Sequence, residues 1–221
     1  MNLKNILVGI EGIKAKGDIN IEINSVKNDS RKVEEGDLFI SIKGYEADGA
    51  DYIVDAIEKG AKAILVEEGT NLRELKIKED TTLIVVPDAR KAMAQIACNY
   101  YDNPSRKFQL IGVTGTKGKT TTTYMIKSML EKKGLKVGLI GTIRNYIGTV
   151  SLGDSQRTTP ESLELQEIFA KMAEEKCDVV IMEVSSQSLK LNRVYGSNFN
   201  IGVFTNLSLI HISEPTRHAQ I

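Results

Sequence analysis

The glycine-rich segment at residues 112–121 has the residue types of an anion-binding loop. It reads GVTGTKGKTT and stands between a predicted strand and a predicted helix. In that position, backbone N–H groups of the loop and of the helix amino terminus converge on a phosphate, and a lysine adds positive charge. The first threonine after that lysine can ligate Mg²⁺ through its hydroxyl. We therefore predict nucleotide binding by Gly115, Thr116, Lys117, Gly118, Lys119, Thr120 and Thr121.

The loop departs from the strict phosphate-binding pattern G-x-x-x-x-G-K-[ST], because that pattern needs glycine at position 113, where this chain has valine. A glycine-rich turn with a surface lysine is the alternative without a function. However, a strand, three glycines, GKTT and a helix rarely occur together by chance. We interpret the nucleotide as ATP, since a guanine-reading Asn-Lys-x-Asp is absent from the sequence. That absence argues only weakly against a GTPase switch.

Glu183 is the second residue whose position indicates chemistry. It follows the apolar run Val179–Met182, so we expect it at the carboxyl end of a strand, where open parallel sheets bind their ligands. An acidic side chain there can hold Mg²⁺ beside the β- and γ-phosphates. A solvated carboxylate at a strand end is the alternative. The glycine loop in the same sheet favours a metal site shared by Thr120 and Glu183.

Composition excludes several classes of protein. Lys and Arg (29) balance Asp and Glu (29), so the excess positive charge expected for binding nucleic acid or an anionic membrane is missing. The apolar stretches are shorter than the roughly 18 residues of a membrane-spanning helix. Both histidines lie after residue 210, which disfavours Ser–His triads and histidine-rich metal sites. Two cysteines in apolar segments predict buried thiols and a reducing cytoplasm.

Alternating elements place the glycine loop and Glu183 in one sheet. The chain reads as strand 107–115, helix 118–133, strand 136–142, a loop, helix 160–175, strand 177–184, a short helix and strand 199–206. Thr159 is predicted to cap helix 160–175 with Pro160 as its first residue, and Arg193 is predicted on the short helix. Strands this apolar predict a parallel sheet covered on both faces.

An earlier series of elements precedes a cluster of helix-breaking residues at 102–105. Residues 49–60 have helical apolar spacing and end at a glycine, and strands follow at 61–68 and 81–88. Asp88 is then placed to cap a helix over residues 89–101. The sequence therefore predicts an α/β fold in two domains, the second of them a doubly wound parallel sheet.

Together, these strings resemble the Mur ligases, in particular those that add the third amino acid of the peptidoglycan stem. The phosphate loop alone is shared by related amide ligases, whereas DSR with EVSS and TTP is far more specific. The matching segments are DSRKVEEGDLFISIKGYEADG at 29–49, GVTGTKGKTTT at 112–122, TTP at 158–160, MEVSSQSL at 182–189 with Arg193, and FTNLS at 204–208.

The resemblance implies a three-domain enzyme, of which this chain holds the first domain and most of the second. We expect an N-terminal domain at 1–105 that binds the UDP end of the substrate, and a P-loop ATPase domain at 106–208. The implied contacts to the nucleotide sugar are Ser30, Tyr45, Glu46 and Ala47. The implied contacts to the muramoyl-peptide part are Thr158, Thr159, Ser185 and Arg193.

The implied reaction joins lysine or diaminopimelate to UDP-N-acetylmuramoyl-L-alanyl-D-glutamate. The substrate carboxylate attacks the γ-phosphate of ATP to give an acyl phosphate and ADP, and an amine then displaces phosphate. This chemistry needs positioning and charge neutralisation, and Lys119 with Mg²⁺ on Thr120 and Glu183 would supply the latter. We expect the 221-residue chain alone not to turn over, because the implied third domain that closes over ATP is missing.

The last residues depart from the family pattern. The family's aspartate position is Ile210, and the neighbours of His211 do not match the family's metal-binding histidine. We therefore hypothesise that residues 209–221 are a non-native tail. Two other interpretations stay open: a related ligase that adds D-alanyl-D-alanine or glutamate to another acceptor, and a non-catalytic P-loop nucleotide switch. The sequence indicates neither the third amino acid nor the oligomeric state.

Overall fold

The chain forms two compact units, which we call unit 1 (Met1–Asn103) and unit 2 (Pro104–Ile221). The computed structural model describes residues 1–44, 48–72 and 80–207. Two groups of predicted residues lie outside the described residues: the sugar contacts Tyr45, Glu46 and Ala47, and the segment 209–221 with Ile210 and His211. The predicted α/β class with parallel sheets is confirmed in both units.

Unit 1 is built around a five-stranded sheet in the order β1-β5-β4-β3-β2. All neighbouring strands are parallel except β1, which is antiparallel to β5. Short 3₁₀ turns at Ser30–Lys32 and Gly49–Tyr52 precede β3 and α2. The elements are α1 (Leu3–Ile6), β1 (Lys14–Lys16), β2 (Val26–Lys27), β3 (Leu38–Ile40), α2 (Ile53–Glu58), β4 (Ala63–Glu67), β5 (Thr82–Val86) and α3 (Ala89–Tyr100).

Local sequence signals explain the helices of unit 1. The side chain of Asp88 accepts the backbone N–H of Lys91 at 2.8 Å, so the predicted cap of α3 is confirmed. The predicted helix at 49–60 is also present, with its first turn as 3₁₀ helix and its α-helical part at Ile53–Glu58. The buried face of α2 packs with strand residues Phe39 and Ile64 in one apolar cluster.

Unit 2 contains a six-stranded sheet in the order β11-β6-β10-β7-β8-β9. Its first four strands are parallel, and β8 and β9 continue the sheet with antiparallel pairing. The elements are β6 (Gln109–Thr114), α4 (Lys119–Glu131), β7 (Val137–Ile140), β8 (Arg144–Ile147), β9 (Val150–Asp154), α5 (Ser162–Glu174), β10 (Val179–Glu183), α6 (Ser186–Lys190) and β11 (Ile201–Phe204).

Helices cover both faces of the sheet in unit 2, as the apolar strands predict. Alternate strand residues such as Leu110 and Val180 form a buried cluster with Phe169 of α5. The strand residues between them, such as Ile111, pack with Ile126 of α4 in a second cluster. Because successive residues of a strand point to opposite faces, near-continuous apolar strands are what two covered faces require.

Three sequence predictions for unit 2 are wrong. The region predicted as a loop after β7 forms the hairpin β8–β9, whose strands pair across Gly148 and Thr149. Helix α5 begins at Ser162 after Glu161 rather than at Pro160, because the side chain of Thr159 bonds the end of β10 instead of capping the helix. Arg193 follows α6 instead of lying on it, since Asn192 has a left-handed φ of 55° beyond the helix end.

Two further predictions concern burial and length of apolar segments. Cys98 and Cys177 are both free and buried, as expected, and burial raises the pKa of the Cys177 thiol. Within the described ranges, no helix combines the length and the apolar character needed to cross a membrane.

Candidate active site

The glycine loop connects the end of β6 to the beginning of α4. Gly115 has a φ of 140°, and a Cβ there would collide with the Thr205 side chain and the Asn206 backbone. Gly118 has a left-handed φ of 84° and is the residue from which α4 starts, without a side-chain cap. Both positions therefore require glycine, and they direct the amino terminus of a helix of 13 residues toward the carboxyl edge of the sheet.

Two residues after β11 hold the loop in place. The carbonyl of Asn206 accepts the N–H of Thr116 at 2.9 Å, and its side-chain oxygen accepts the N–H of Lys117 at 3.1 Å. The Thr205 hydroxyl donates to the carbonyl of Lys117 at 2.6 Å. Sequence reasoning missed Thr205 and Asn206 as site residues, although both belong to the family-like segment FTNLS.

Lys119 lies at the first position of α4 and folds back over the loop. Its Nζ donates to the carbonyl of Gly115 at 2.7 Å and to that of Thr116 at 3.4 Å. The ammonium group therefore stands beside the N–H groups of the first turn of the helix, so that one small region collects positive charge. This arrangement can bind a polyanion.

Glu183 is the last residue of β10, the strand between β6 and β7. Its side chain is buried, with the residue only 1% exposed, and lies at the same sheet edge as the loop. Oε2 accepts the hydroxyl of Thr120 at 3.0 Å and that of Thr142 at 3.0 Å, while Oε1 accepts the N–H of Thr142 at 3.0 Å. The structure thus brings together the two residues that were predicted to share a metal, and adds Thr142.

The oxygens of Thr120 and Glu183 fit a magnesium ion. Among the described residues, no group of three or more His, Cys, Asp or Glu side chains could hold a metal. Mg²⁺ is commonly held by only one or two protein oxygens and completes its shell with water and phosphate, which a carboxylate beside a hydroxyl allows.

Thr159 and Ser185 form a second hydrogen-bonded group at the end of β10. The Thr159 hydroxyl donates to the carbonyl of Glu183 at 2.9 Å and accepts the N–H of Ser185 at 3.1 Å. Ser185 in turn caps α6 by accepting the N–H of Ser188 at 3.1 Å. Thr158 lies next to this group, with its hydroxyl oxygen 3.1 Å from that of Thr142. All these residues surround the same strand end.

Arg193 joins this group through an ion pair that is largely shielded from solvent. Its guanidinium lies 2.7 Å from the carboxylate of Glu161, and the two side chains are only 10% and 15% exposed. A second guanidinium nitrogen donates to the carbonyl of Thr159 at 3.3 Å, and the buried Nε has no hydrogen-bond partner among the described residues. Glu161 was missed, because a glutamate beside a predicted helix start has no distinguishing signal in one sequence.

Ser30 is the described member of the predicted sugar contacts, and it lies in unit 1. It is buried at the start of a 3₁₀ turn, and its carbonyl accepts Lys59 Nζ at 2.9 Å. The Asp55 carboxylate is bonded by Lys59 and by the Ser30 side chain, and both contacts lower the pKa of Asp55. Beside it, the Arg31 guanidinium holds the pKa of Asp29 below its usual value.

Two family models together match most of the chain. The model described as the Mur ligase middle domain matches residues 113–218, and the one described as the Mur ligase family, catalytic domain, matches residues 22–101. The chain belongs to the Mur ligase family. The middle-domain match includes the glycine loop, Glu183 and Arg193, so the site in unit 2 lies within the part that this family shares.

Relatives within the Mur ligase family are similar over most of the chain. The UDP-N-acetylmuramoyl-L-alanyl-D-glutamate–2,6-diaminopimelate ligase 1 of Clostridium acetobutylicum is 52% identical over 96% of this chain. A solved structure of a ligase of the same name is 25% identical with a TM-score of 0.76, over 96% of this chain and 41% of that one. The chain spans 43% of the length of the clostridial relative.

A third comparison concerns the fold alone. A MurF ligase from Thermotoga maritima, solved in complex with ADP, is 23% identical with a TM-score of 0.55. The structural match covers 85% of this chain and 38% of the MurF ligase chain.

Proposed function

We propose that this chain is part of an ATP-dependent ligase that joins the third stem amino acid to UDP-N-acetylmuramoyl-L-alanyl-D-glutamate. Besides the family assignment, one observation carries the proposal: Thr120 donates to Glu183 at 3.0 Å at the sheet edge where the glycine loop lies. A hydroxyl and a carboxylate beside an anion-binding helix terminus are what a Mg²⁺–nucleotide site needs. Because the chain spans 43% of its clostridial relative, the activity is proposed for the whole protein.

Each part of the chain has a role in this proposal. Residues 1–105 bind the UDP end of the substrate, with Ser30 and the segment 45–47 as contacts. Residues 106–208 form the P-loop domain that binds ATP. We place the protein in the cytoplasm, and its two free cysteines fit a reducing compartment.

The phosphates of ATP would lie at the amino terminus of α4. Helix N–H groups and the helix dipole favour an anion there, and Lys119 Nζ would exchange its loop carbonyls for phosphate oxygens. Because Asn206 already accepts the N–H groups of Thr116 and Lys117, these two residues shape the loop. The remaining contacts would come from Gly115, Gly118, Thr120 and Thr121.

The site would promote the reaction by neutralising the charge of the phosphates and by positioning the substrate. Mg²⁺ on Thr120 and Glu183 would neutralise the β- and γ-phosphates. The substrate's terminal carboxylate attacks the γ-phosphorus, which breaks the bond to ADP and forms an acyl phosphate; the amine then displaces inorganic phosphate to form the amide. Thr158, Thr159, Ser185 and Arg193 would hold the peptide part, since a guanidinium pairs well with carboxylates.

Isothermal titration of the 221-residue chain tests the proposal. We expect binding of UDP-N-acetylmuramoyl-L-alanyl-D-glutamate to be tighter than that of UDP-N-acetylmuramic acid, and ATP binding to require Mg²⁺. UDP-N-acetylmuramoyl-pentapeptide and a folate acceptor are matched controls for other acceptors. Equal affinity for all acceptors, or ATP binding that ignores Mg²⁺, would contradict the proposal.

We infer diaminopimelate as the third amino acid, because the curated relatives carry it in their names. Purified enzyme from the full reading frame should form amide with diaminopimelate faster than with lysine, measured as phosphate release that depends on the UDP-linked dipeptide. A preference for lysine would replace this inference without affecting the family.

A further inference from the structure

Gly141 and Thr142 follow β7, and both lie in contact with the carboxylate of Glu183. The N–H of Thr142 donates to Oε1 at 3.0 Å, and its hydroxyl donates to Oε2 at 3.0 Å, so one residue contacts both carboxylate oxygens. Gly141 makes this approach possible, because a Cβ at that position would overlap Oε1 of Glu183. The Glu183 carboxylate at the end of β10 therefore packs directly against the backbone that follows β7.

The Thr142 hydroxyl also connects Glu183 to Thr158, which is proposed to contact the peptide part of the substrate. It lies 3.1 Å from the hydroxyl oxygen of Thr158. Because a hydroxyl carries one proton, donation to the carboxylate leaves its lone pairs to accept the proton of Thr158. The order of contacts is thus Thr158, Thr142, Glu183 and Thr120, running from the proposed peptide contact to the proposed metal and nucleotide contacts.

We propose that Thr142 is a positioning residue, whose hydroxyl fixes the rotamer of Glu183 for Mg²⁺ and couples it to Thr158. This inference rests on the proposed function, since it assigns Thr142 a role in that site. Neither the sequence motifs nor the family resemblance pointed to Thr142. Loss of a residue that orients a ligating side chain typically lowers the affinity for the metal by about 10- to 100-fold.

The exposure of Thr142 separates this role from a purely structural one. Glu183 is buried, whereas Thr142 is exposed and contributes no side chain to the apolar clusters of unit 2. Removal of its hydroxyl should therefore change the site more than the packing. The backbone N–H to Oε1 remains in every side-chain variant, so the carboxylate keeps one of its contacts.

Three variants of the 221-residue chain test the inference. Thr142→Val removes the hydroxyl and keeps the branched shape, and Thr142→Ser keeps the hydroxyl. Thr149→Val is the matched control, because Thr149 is an exposed residue of the same unit in the β8–β9 turn. A fluorescent ATP analogue reports nucleotide binding across a Mg²⁺ titration, and thermal unfolding of the same samples reports stability.

We expect Thr142→Val to raise the Mg²⁺ concentration for half-maximal nucleotide binding by about tenfold, the scale typical of partners that orient a ligand. Thr142→Ser and Thr149→Val should stay near the wild type, and all three variants should unfold near its melting temperature. If the wild type binds the nucleotide with Mg²⁺ but Thr142→Val leaves the titration unchanged, the inference is wrong. If Thr142→Ser fails like Thr142→Val, the hydroxyl is not the cause. If the wild type needs no Mg²⁺, the proposed function fails first.

Discussion

The two regions that resemble family motifs hold their polar side chains in different ways. In unit 2, Glu183 ends β10 and is bonded by residues from α4 and from the end of β7, at sequence separations of 63 and 41 residues. In unit 1, the Asp29 carboxylate is bonded by Arg31, two residues away, and the Arg31 side chain is 86% exposed. The contacts of Glu183 depend on the tertiary fold, whereas the contact between Asp29 and Arg31 lies within one turn. The structural effects of a substitution should therefore extend to distant residues in unit 2 and stay close to the substituted residue in unit 1.

The largest effect is expected from Glu183→Gln. The amide keeps the shape of the carboxylate but removes the charge that Mg²⁺ needs. In the wild type the hydroxyls of Thr120 and Thr142 donate to Oε2, and an NH₂ group at that position could not accept their protons. We expect the affinity for Mg²⁺ and nucleotide to fall by about 100-fold, because loss of a ligand should reach at least the upper end of the range for residues that orient one. Glu175→Gln, at an exposed ion pair of unit 2, is the control. Unchanged Mg²⁺ dependence would show that the tertiary network serves another purpose.

The next largest effect compares two arginines. Arg193→Ala removes the guanidinium that pairs with the largely shielded carboxylate of Glu161, which should cost about 3–5 kcal/mol of unfolding free energy. Arg31→Ala removes an exposed ion pair of unit 1 and should leave stability unchanged within error. Urea unfolding of both variants measures the difference. Similar stability losses would mean that burial does not distinguish the two regions.

A smaller effect is expected from a pair of glycines in unit 2. Gly115→Ala combines a φ of 140° with a collision against Thr205 and Asn206, so the loop must move. Gly134→Ala has a φ of 84° but open space around its Cβ, so only the backbone strain of about 1–2 kcal/mol applies. Nucleotide titration should show weaker binding for Gly115→Ala alone. Equal binding by both variants would separate the loop conformation from the anion site.

The sequence predicted the parts of unit 2 that follow from local pattern. An apolar run places its next residue at a strand end, so Glu183 and the glycine loop were expected at one edge. The β8–β9 hairpin and the end of α6 before Arg193 are local features that were wrongly assigned, since the turn at residues 148 and 149 and the left-handed Asn192 were not recognised. Thr159 was wrongly assigned as a helix cap for a different reason, because its partner at the end of β10 lies far away in sequence. Helix-capping statistics describe neighbours along the chain and contain no such partner.

Residues missed by sequence reasoning share this dependence on distant contacts. Thr142, Glu161 and Asn206 are common residue types in unremarkable surroundings, and only the fold gives them partners. Local signals sufficed for Asp88, whose cap bond reaches three residues along the chain. In unit 1, Ser30 of DSR was selected by resemblance alone, since a turn has no pattern that indicates a ligand.

The smallest effect tests whether the turn in unit 1 is as local as it looks. The pKa of Asp55 is lowered from 3.8, first by Lys59 and then by the Ser30 side chain. A carboxyl with a lowered pKa stabilises the fold above its unfolded pKa, and that stability is lost as the pH falls through the folded value. Ser30→Ala should raise the pKa of Asp55 part of the way toward 3.8, because Lys59 still bonds it.

Carboxyl chemical shifts in an NMR titration below pH 5 measure this change, and Asp29 is the internal control. The pKa of Asp29 is lowered mainly by its bond to Arg31, which Ser30→Ala does not remove. If only the pKa of Asp55 rises, the turn keeps its shape, and any loss of UDP affinity measured in the same variant can be assigned to the Ser30 hydroxyl. If both values rise, the turn rearranges as a unit. The contrast with unit 2 would then be one of exposure, since both regions would respond as connected networks.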